Sequence, residues 1–181
     1  AAGSGEASEE ALPEVAAANA AYVNSAINIR LNLVGMAQTN YAETGDMTLS
    51  VSRLRATSDG YMDEVHALRD TLGADMVSLI SEDSNYCGYA YINATGSVSF
   101  AGSAFSAVRQ SCFSSQSLVH EIGHNQGNSH DRANATAAVY PYSFGYRTCY
   151  KVTYTNGQAF RTIMAYDCSG TPRVNYFSNP D

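Results

Sequence analysis

Three histidines and a glutamate lie close together in this 181-residue chain, at a spacing that suits metal-assisted chemistry. His120 and His124 are four residues apart, so on a helix they project from one face. Neutral imidazoles are common zinc ligands, and two on one face can share an ion. Gly127 favours a turn at the end of that helix, which lets His130 return as a third ligand. Three protein ligands leave one coordination position open, which indicates a catalytic rather than a structural metal site.

Glu121 follows the first of these histidines and suits the role of general base. Its carboxylate is offset from the ligand face, where it can hold and deprotonate a water that the metal activates. The remaining histidine, His66, has no partners in its own stretch of sequence, and we interpret it as structural or exposed. The pattern favours hydrolysis with one catalytic Zn²⁺ ion.

A second segment, Arg-Thr-Ile-Met-Ala-Tyr-Asp-Cys at 161–168, begins about 30 residues after the third histidine. The extended histidine motif followed by an Ile-Met turn resembles the metzincin zinc metalloproteases. The resemblance implies that Met164 forms an apolar floor beneath the three histidines. An Asp directly after the third histidine, as at Asp131, is typical of the reprolysin family. Tyr166, two residues after the methionine, is instead placed as in astacins and serralysins.

The chain most resembles the bacterial reprolysin-like group typified by peptidyl-Asp metalloendopeptidases, over about residues 15–180. The resemblance implies a secreted zinc endopeptidase in which Glu121 moves the proton. It implies that Tyr166 hydrogen-bonds the developing oxyanion or occupies the metal at rest, and that Asp131 supports the loop after the third histidine. Beyond the two motifs, the similar segments are 59–66, 73–75, 86–88 and 176–180.

The cysteines bear on the compartment in which the protein works. The four cysteines form no C-x-x-C pair, which argues against a cysteine-based zinc site and favours two disulfides in a secreted protein. Sequence alone leaves three pairings open. The resemblance implies that two cysteines flank an edge hairpin and that the other two flank the methionine turn. It therefore implies the pairs Cys87–Cys112 and Cys149–Cys168. The opening Ala-Ala-Gly-Ser-Gly leads us to expect a processed or trimmed end.

The composition excludes several functions. The chain carries 17 acidic and 10 basic residues, a net charge of −7, which argues against binding to nucleic acid or anionic membranes. No apolar run reaches the length of a membrane-spanning helix. With 45% apolar and 15% charged residues, the chain is typical of a folded domain. We expect a monomer whose partner is a protein or peptide substrate.

Five basic and two acidic residues lie in 132–181, so this third of the chain is locally basic. In the metzincin superfamily, the pocket for the side chain after the cut lies beside the methionine turn. An arginine there would favour Asp or Glu in the substrate through a charge-assisted contact. The basic residues that flank the turn are Arg147, Lys151, Arg161 and Arg173. For each of them, a position on the ordinary solvated surface is the alternative to a place in the pocket.

Helices alternate with strands in the first 80 residues, which indicates an α/β layer arrangement. The resemblance implies an α/β (α+β) metzincin-type fold with a twisted mixed sheet, an active-site helix and an irregular C-terminal subdomain. We expect a single catalytic domain over 1–181, with an upper subdomain over about 14–127 and a lower one over about 128–181.

Local signals predict the individual elements. We expect loose residues over 1–12, then a helix opened by Pro13 and a half-buried strand over 29–33. Two helices should follow, a short one capped by Asp46 and one from Met62 to Leu72 that Gly73 ends. A buried strand is expected over 76–80.

A hairpin is expected just before the histidine helix, with strands over 89–92 and 97–100 around a turn at 93–96. Tyr89–Ile92 or Ser97–Gly102 could then bind substrate backbone by strand addition, and an ordinary edge hairpin is the alternative.

Two other functions remain open at this point. One is a zinc-binding protein or toxin domain with little turnover, which the presence of Glu121 argues against. The other is an amidase acting on cell-wall peptides, which would carry the same motif.

Overall fold

The computed structural model describes residues 4–149 and 157–180, and within these ranges the chain forms four α-helices and five short strands. The helices are α1 (Ser4–Asn24), α2 (Met47–Arg55), α3 (Glu64–Leu72) and α4 (Ser117–Asn125). The strands are β1 (Val77–Ser81), β2 (Gly88–Ala90), β3 (Phe105–Arg109), β4 (Arg147–Thr148) and β5 (Phe160–Arg161). Two 3-10 helices, Val98–Ser103 and Gln110–Ser115, flank β3. The predicted α+β class is confirmed, and no described helix is both long and apolar enough to cross a membrane.

Helix α1 begins much earlier than the sequence predicts. It includes Pro13 in its interior, so the predicted start at Pro13 and the predicted loose stretch are wrong from Ser4 onward, while residues 1–3 lie outside the described part. A proline inside a helix removes one backbone donor, but the flanking Ala and Glu residues favour the helix strongly. Helical spacing then buries one stripe of α1, made of Ala11, Glu14, Ala18, Ala21 and Tyr22.

The strand predicted over 29–33 is absent, and this part of the described chain is irregular. The alternation does not determine which side chains are buried, because Leu31 packs on the core while Ile29 and Leu33, which would share its face in a strand, are exposed. The Asn19 side chain instead hydrogen-bonds both backbone groups of Leu31, at 2.8 and 2.9 Å. Those groups are therefore not available for a sheet ladder.

The two helices predicted next are confirmed, together with their terminal signals. The Asp46 carboxylate accepts hydrogen bonds from the N–H groups of Thr48 and Leu49, which caps α2. Gly73 ends α3 in the left-handed region at φ 62°, where its backbone N–H bonds to carbonyls of the last turn.

A three-stranded mixed sheet with the order β1-β3-β2 lies next to α4. Strand β1 confirms the strand predicted over 76–80, and it pairs in parallel with β3, with Val77 opposite Phe105. Strand β2 pairs antiparallel with the other side of β3, with Gly88 opposite Val108. Strand β2 therefore forms the edge of the sheet that lies beside α4, and β1 forms the other edge.

The predicted hairpin is wrong in its second strand. The Ser97 hydroxyl accepts from the N–H of Ser99 and starts a 3-10 helix where the strand over 97–100 was expected. Strand β2 takes β3 as its partner instead, so only the 89–92 side of the expected hairpin lies at the sheet edge.

Helix α4 is buried between two apolar groups of side chains. Leu118 and Ile122 pack with Val108 and Phe113 on the sheet side. The opposite side joins Val119 to α1 and to the methionine turn, in a cluster of Ala18, Ala21, Tyr22, Val119, Ile163, Met164 and Phe177. This packing fixes α4 from both sides.

The described residues after α4 contain little regular structure, as predicted. A two-stranded ladder joins β4 to β5, and single bridges join Ser129 to Phe144 and Arg161 to Arg173. The division into subdomains near residue 127 stays a prediction.

Candidate functional site

The end of helix α4 brings the third histidine back towards the first two. Gly127 takes φ 95°, and its N–H donates to the carbonyl of His124 at 3.0 Å. The N–H of Asn128 donates to the carbonyl of Gly123 at 2.9 Å. A side chain at Gly127 would also press on the Asn93 carbonyl, 3.2 Å from an ideal Cβ. Only glycine combines this backbone angle with this close approach.

The three histidines converge on one point and could hold a metal ion, with their ligand atoms all within 4.8 Å of one another. Nε2 of His130 lies 3.0 Å from Nε2 of His124 and 3.2 Å from Nε2 of His120. Nδ1 of His120 bonds to the Ile163 carbonyl and Nδ1 of His124 to the Asn128 carbonyl, both at 2.8 Å. A carbonyl can only accept, so these Nδ1 atoms carry the protons and the two Nε2 atoms present lone pairs.

Burial keeps these imidazoles neutral. It lowers the pKa of His124 to about 4 and the pKa of His120 well below its ordinary value, and the neighbouring histidines add to the effect on His120. Burial also lowers the pKa of His130, against the opposing charge of Asp131. Neutral imidazole is the form that binds a metal, so the site is prepared for one at neutral pH.

Glu121 is 5% exposed and lies on the same helix as the first two histidines. Burial raises its pKa to about 8, while the positive charge of Arg173 acts in the opposite direction. A buried carboxyl group whose pKa is raised towards neutral pH can both take up and release a proton, so beside a group of metal ligands it has the properties of a proton-transfer group.

The methionine turn lies against α4 and is buried. Met164 is 1% exposed, and its sulfur would be only 2.5 Å from a Cβ at Gly123, which lies between the two helical histidines. The neighbouring Ile163 supplies the carbonyl that orients His120. The turn therefore both packs beneath the helix and fixes one histidine ring.

Asp131 connects the loop after His130 to the methionine turn. Its carboxylate accepts from the backbone N–H of Tyr166 at 3.0 Å and of Ala133 at 3.2 Å, and from the Asn134 side chain, and it pairs with Arg147 at 3.2 Å. Burial raises the pKa of Asp131, but these hydrogen bonds and the arginine charge outweigh it and lower the pKa below its usual value.

Tyr166 stands at the rim of the histidine site. Its ring centroid is 4.2 Å from that of His130, and 45% of the residue is exposed. Burial of the hydroxyl and the nearby acidic groups Glu121 and Asp131 raise its pKa, so the phenol stays protonated and able to donate.

The predicted basic residues fall in different places. Arg147 is engaged with Asp131 and with the carbonyls of Tyr166 and Asp167. Arg161 and Arg173 instead line a cavity of about 390 Å³, together with Ser114, Ser115, Gln116, Thr171 and Pro172. Lys151 lies outside the described residues.

Arg173 is the less satisfied of the two arginines in this cavity. One of its terminal nitrogens donates to the Ser115 carbonyl, but its buried Nε has no partner. Arg161 has three acceptors, on Ala165, Asp167 and Thr171. Burial, together with Arg161, lowers the pKa of Arg173 to about 10, so it remains charged at neutral pH.

Two residues that lie beside the site were not predicted from the sequence. Glu14, on α1, is buried with an unpartnered Oε2, and it is close enough to Arg173 to interact electrostatically. Gly88, on the edge strand, lies against Glu121. Nothing in the sequence marks Glu14, whereas Gly88 lies in the segment 86–88 that takes part in the family resemblance. His66, by contrast, bonds to the Ala56 carbonyl outside the site.

Both disulfides join segments that frame the site. Cys87, at the start of β2, is bonded to Cys112 in the 3-10 helix before α4. Cys149 is bonded to Cys168, next to the methionine turn. These are the pairs that the resemblance implies, and no described cysteine is free.

Comparison with known proteins identifies relatives over nearly the whole chain. Residues 2–178 match the family described as metallo-peptidase family M12. A protein named peptidyl-Asp metalloendopeptidase from Stenotrophomonas maltophilia (strain K279a) is 44% identical over 169 residues, which cover 92% of this chain and 39% of that protein. One of the same name from Pseudomonas fragi is 32% identical over 164 residues, covering 90% of this chain and 82% of that protein. The chain thus spans about two fifths of the Stenotrophomonas relative.

A solved structure supports the fold. A chain in a structure titled "Structure of a chaperone-substrate complex" superposes with a TM-score of 0.63 at 21% sequence identity, covering 96% of this chain and 28% of that one.

Proposed function

Since the chain belongs to metallo-peptidase family M12, we propose that it is a zinc-dependent endopeptidase. The observation that carries the proposal is the convergence of three histidine Nε2 atoms beside a buried glutamate on one helix. The similarity to proteins named peptidyl-Asp metalloendopeptidase supports it. Hydrolysis of a peptide bond is the chemistry that such a site performs in this family.

The donor set fits zinc. The nitrogens of His120, His124 and His130 are the ligands that a catalytic zinc ion takes from a protein, with one position left open. Carbonyl bonds fix the first two rings with a lone pair facing the common point, as outer hydrogen bonds do in metal sites. When bound, zinc acts as a Lewis acid that lowers the pKa of water and polarises the scissile carbonyl.

The residues around the ligands have separate roles. Glu121 takes a proton from the attacking water and later donates it to the leaving amine, so no covalent intermediate is needed. Tyr166, with a protonated hydroxyl at the rim, donates a hydrogen bond to the oxyanion that develops on the carbonyl. Asp131 and Met164 hold the loop and the turn around the histidines.

The edge of the sheet provides a place for the substrate backbone. Strand β2 pairs with β3 on one side, and its other side lies at the sheet edge. An extended peptide that adds to this edge gains backbone hydrogen bonds and passes close to Glu121, which touches Gly88 of β2. The exposed ring of Tyr89 is then placed to contact substrate side chains.

The cavity lined by Arg161 and Arg173 suits an acidic side chain after the cut. Arg173 carries the main part of this proposal, because it is charged and half-buried and its buried Nε has no partner. A carboxylate that enters the cavity would form charge-assisted hydrogen bonds with this group. Arg147 is not needed, since Asp131 already neutralises it.

We also propose that the protein is secreted and acts as a monomer. Two disulfides within the described residues support an oxidising compartment, where such bonds persist.

Cleavage-site mapping on a mixed peptide library by mass spectrometry tests the function. We expect cuts before Asp or Glu that a zinc chelator abolishes and added zinc restores. Absence of cuts by zinc-loaded protein would refute the endopeptidase and favour a zinc-binding protein, and cuts confined to cell-wall peptides would favour an amidase. Cuts before apolar residues would refute only the acidic preference.

Replacing Arg173 tests the preference directly. Arg173→Gln should lower kcat/KM for peptides with Asp after the cut by about 10- to 100-fold, the value of a charged hydrogen bond. Arg173→Lys, which keeps the charge, should lose less. An equal loss for acidic and neutral peptides would contradict the role of this arginine.

A further inference from the structure

Gly88 on the edge strand lies directly against the side chain of Glu121. A Cβ built at Gly88 would be 2.6 Å from both Cγ and Cδ of Glu121, and closer still to Oε1. These three atoms, all from one side chain, are the nearest that it would meet. Real Cβ atoms do not approach other atoms so closely, so any larger residue here must displace something.

The backbone conformation does not explain the glycine. Gly88 lies in regular strand pairing opposite Val108, and it is not among the described residues with positive φ. An alanine could therefore adopt this backbone without strain. What only glycine provides at this position is the space that the glutamate side chain occupies.

Neither backbone segment can easily move away. Strand β2 is paired to β3, and the carbonyl of Cys87 accepts from the N–H of Arg109 at 2.9 Å. The disulfide from Cys87 to Cys112 ties the start of β2 to the 3-10 helix that leads into α4. Helix α4 is itself packed on both sides. The Glu121 side chain is the part that would yield to an added methyl group.

We propose that Gly88 is a positioning residue for Glu121, an inference that rests on the proposed function. Its missing side chain leaves a slot beside the edge strand, and the carboxylate lies in that slot. The strand thereby sets the distance between the base and a peptide added along its edge. Displacement of a catalytic group by about 1 Å can reduce the rate about 10²-fold.

The first experiment compares Gly88→Ala with Gly102→Ala in the full chain. Gly102 is the matched control, because its Cβ would meet nothing within 4 Å and the structure places it in a 3-10 helix rather than at the sheet edge. Peptide cleavage, zinc content and thermal unfolding are measured for both variants. We expect Gly88→Ala to lower kcat about 10- to 100-fold with KM within about threefold and one zinc per chain. Gly102→Ala should behave as wild type.

A stability cycle separates this role from a general packing role. Gly88→Ala should lower the melting temperature, and the same change made in a Glu121→Ala background, where the slot is empty, should not. This measurement does not depend on activity, so it remains decisive if Gly88→Ala alone folds poorly.

The outcomes are distinct. An unchanged kcat in Gly88→Ala, or an equal loss of melting temperature in both backgrounds, would overturn the inference. If neither the wild-type protein nor Gly102→Ala cleaves peptides, the proposed function is refuted instead. The stability cycle would still test the contact between Gly88 and Glu121.

Discussion

The ion pair of Asp131 with Arg147 is the clearest place to test how the loop after His130 is held. Asp131 is 3% exposed, and its carboxylate accepts from the arginine, from two backbone N–H groups and from Asn134. Asp131→Ala removes the carboxylate that faces the half-buried Arg147 and leaves two backbone donors without their acceptor.

The size of the effect follows from those contacts. A donor that loses its buried acceptor costs about 1–3 kcal/mol, and Asp131→Ala leaves two backbone N–H groups and the Asn134 amide in that state, so we expect a loss of about 3–5 kcal/mol in total. For a domain of this length, such a loss lowers the melting temperature by about 10 °C. Arg147→Met should cost less, because Asp131 then keeps its other donors. Since the backbone of Tyr166 is released with the carboxylate, we also expect weaker metal binding in Asp131→Ala.

Thermal unfolding followed by circular dichroism, with and without zinc, measures both effects. A loss below about 1 kcal/mol in Asp131→Ala would refute the reasoning, since the carboxylate would then not be holding the turn. A larger loss in Arg147→Met than in Asp131→Ala would also contradict it.

Three further predictions concern single side chains. Glu121→Gln should lower kcat about 10²- to 10⁴-fold with zinc retained, and loss of zinc instead would contradict its role as base. Tyr166→Phe should lower kcat about 10²-fold with little change in KM, whereas an unchanged kcat would exclude the hydroxyl from oxyanion binding. Burial raises the pKa of Glu14 from 4.5 to about 7, so the folded state binds its proton more tightly and stability falls as pH rises between these values. The melting temperature of Glu14→Gln relative to wild type should therefore increase from pH 5 to pH 8, and a constant difference would contradict that shift.

The elements that the sequence predicted correctly have signals within a few residues of themselves. Asp46 caps α2 through its own neighbours, and Gly73 ends α3 through its own backbone angle. The spacing of His120, His124 and His130 likewise depends on one helix and one turn. In each case the interaction that decides the structure is short in sequence.

The wrong or missing predictions concern segments whose structure depends on a partner that is distant in the sequence. The strand expected over 29–33 is replaced by irregular chain because Asn19, in α1, occupies the backbone of Leu31. Strand β3 was missed because its role as the centre of the sheet depends on pairing with β1 and β2. The distinction between Arg147 and Arg173 depends on which acidic group lies nearby, and sequence spacing does not contain that information.

The central claim is that the three histidines hold one zinc ion on which peptide cleavage depends. Zinc titration of chelator-treated protein, with bound zinc and cleavage measured in the same samples, tests it most directly. We expect activity to rise in proportion to bound zinc and to saturate at one equivalent per chain, with His124→Ala binding zinc at least about 10²-fold more weakly. Cleavage by zinc-free protein, or undiminished zinc binding by His124→Ala, would contradict it.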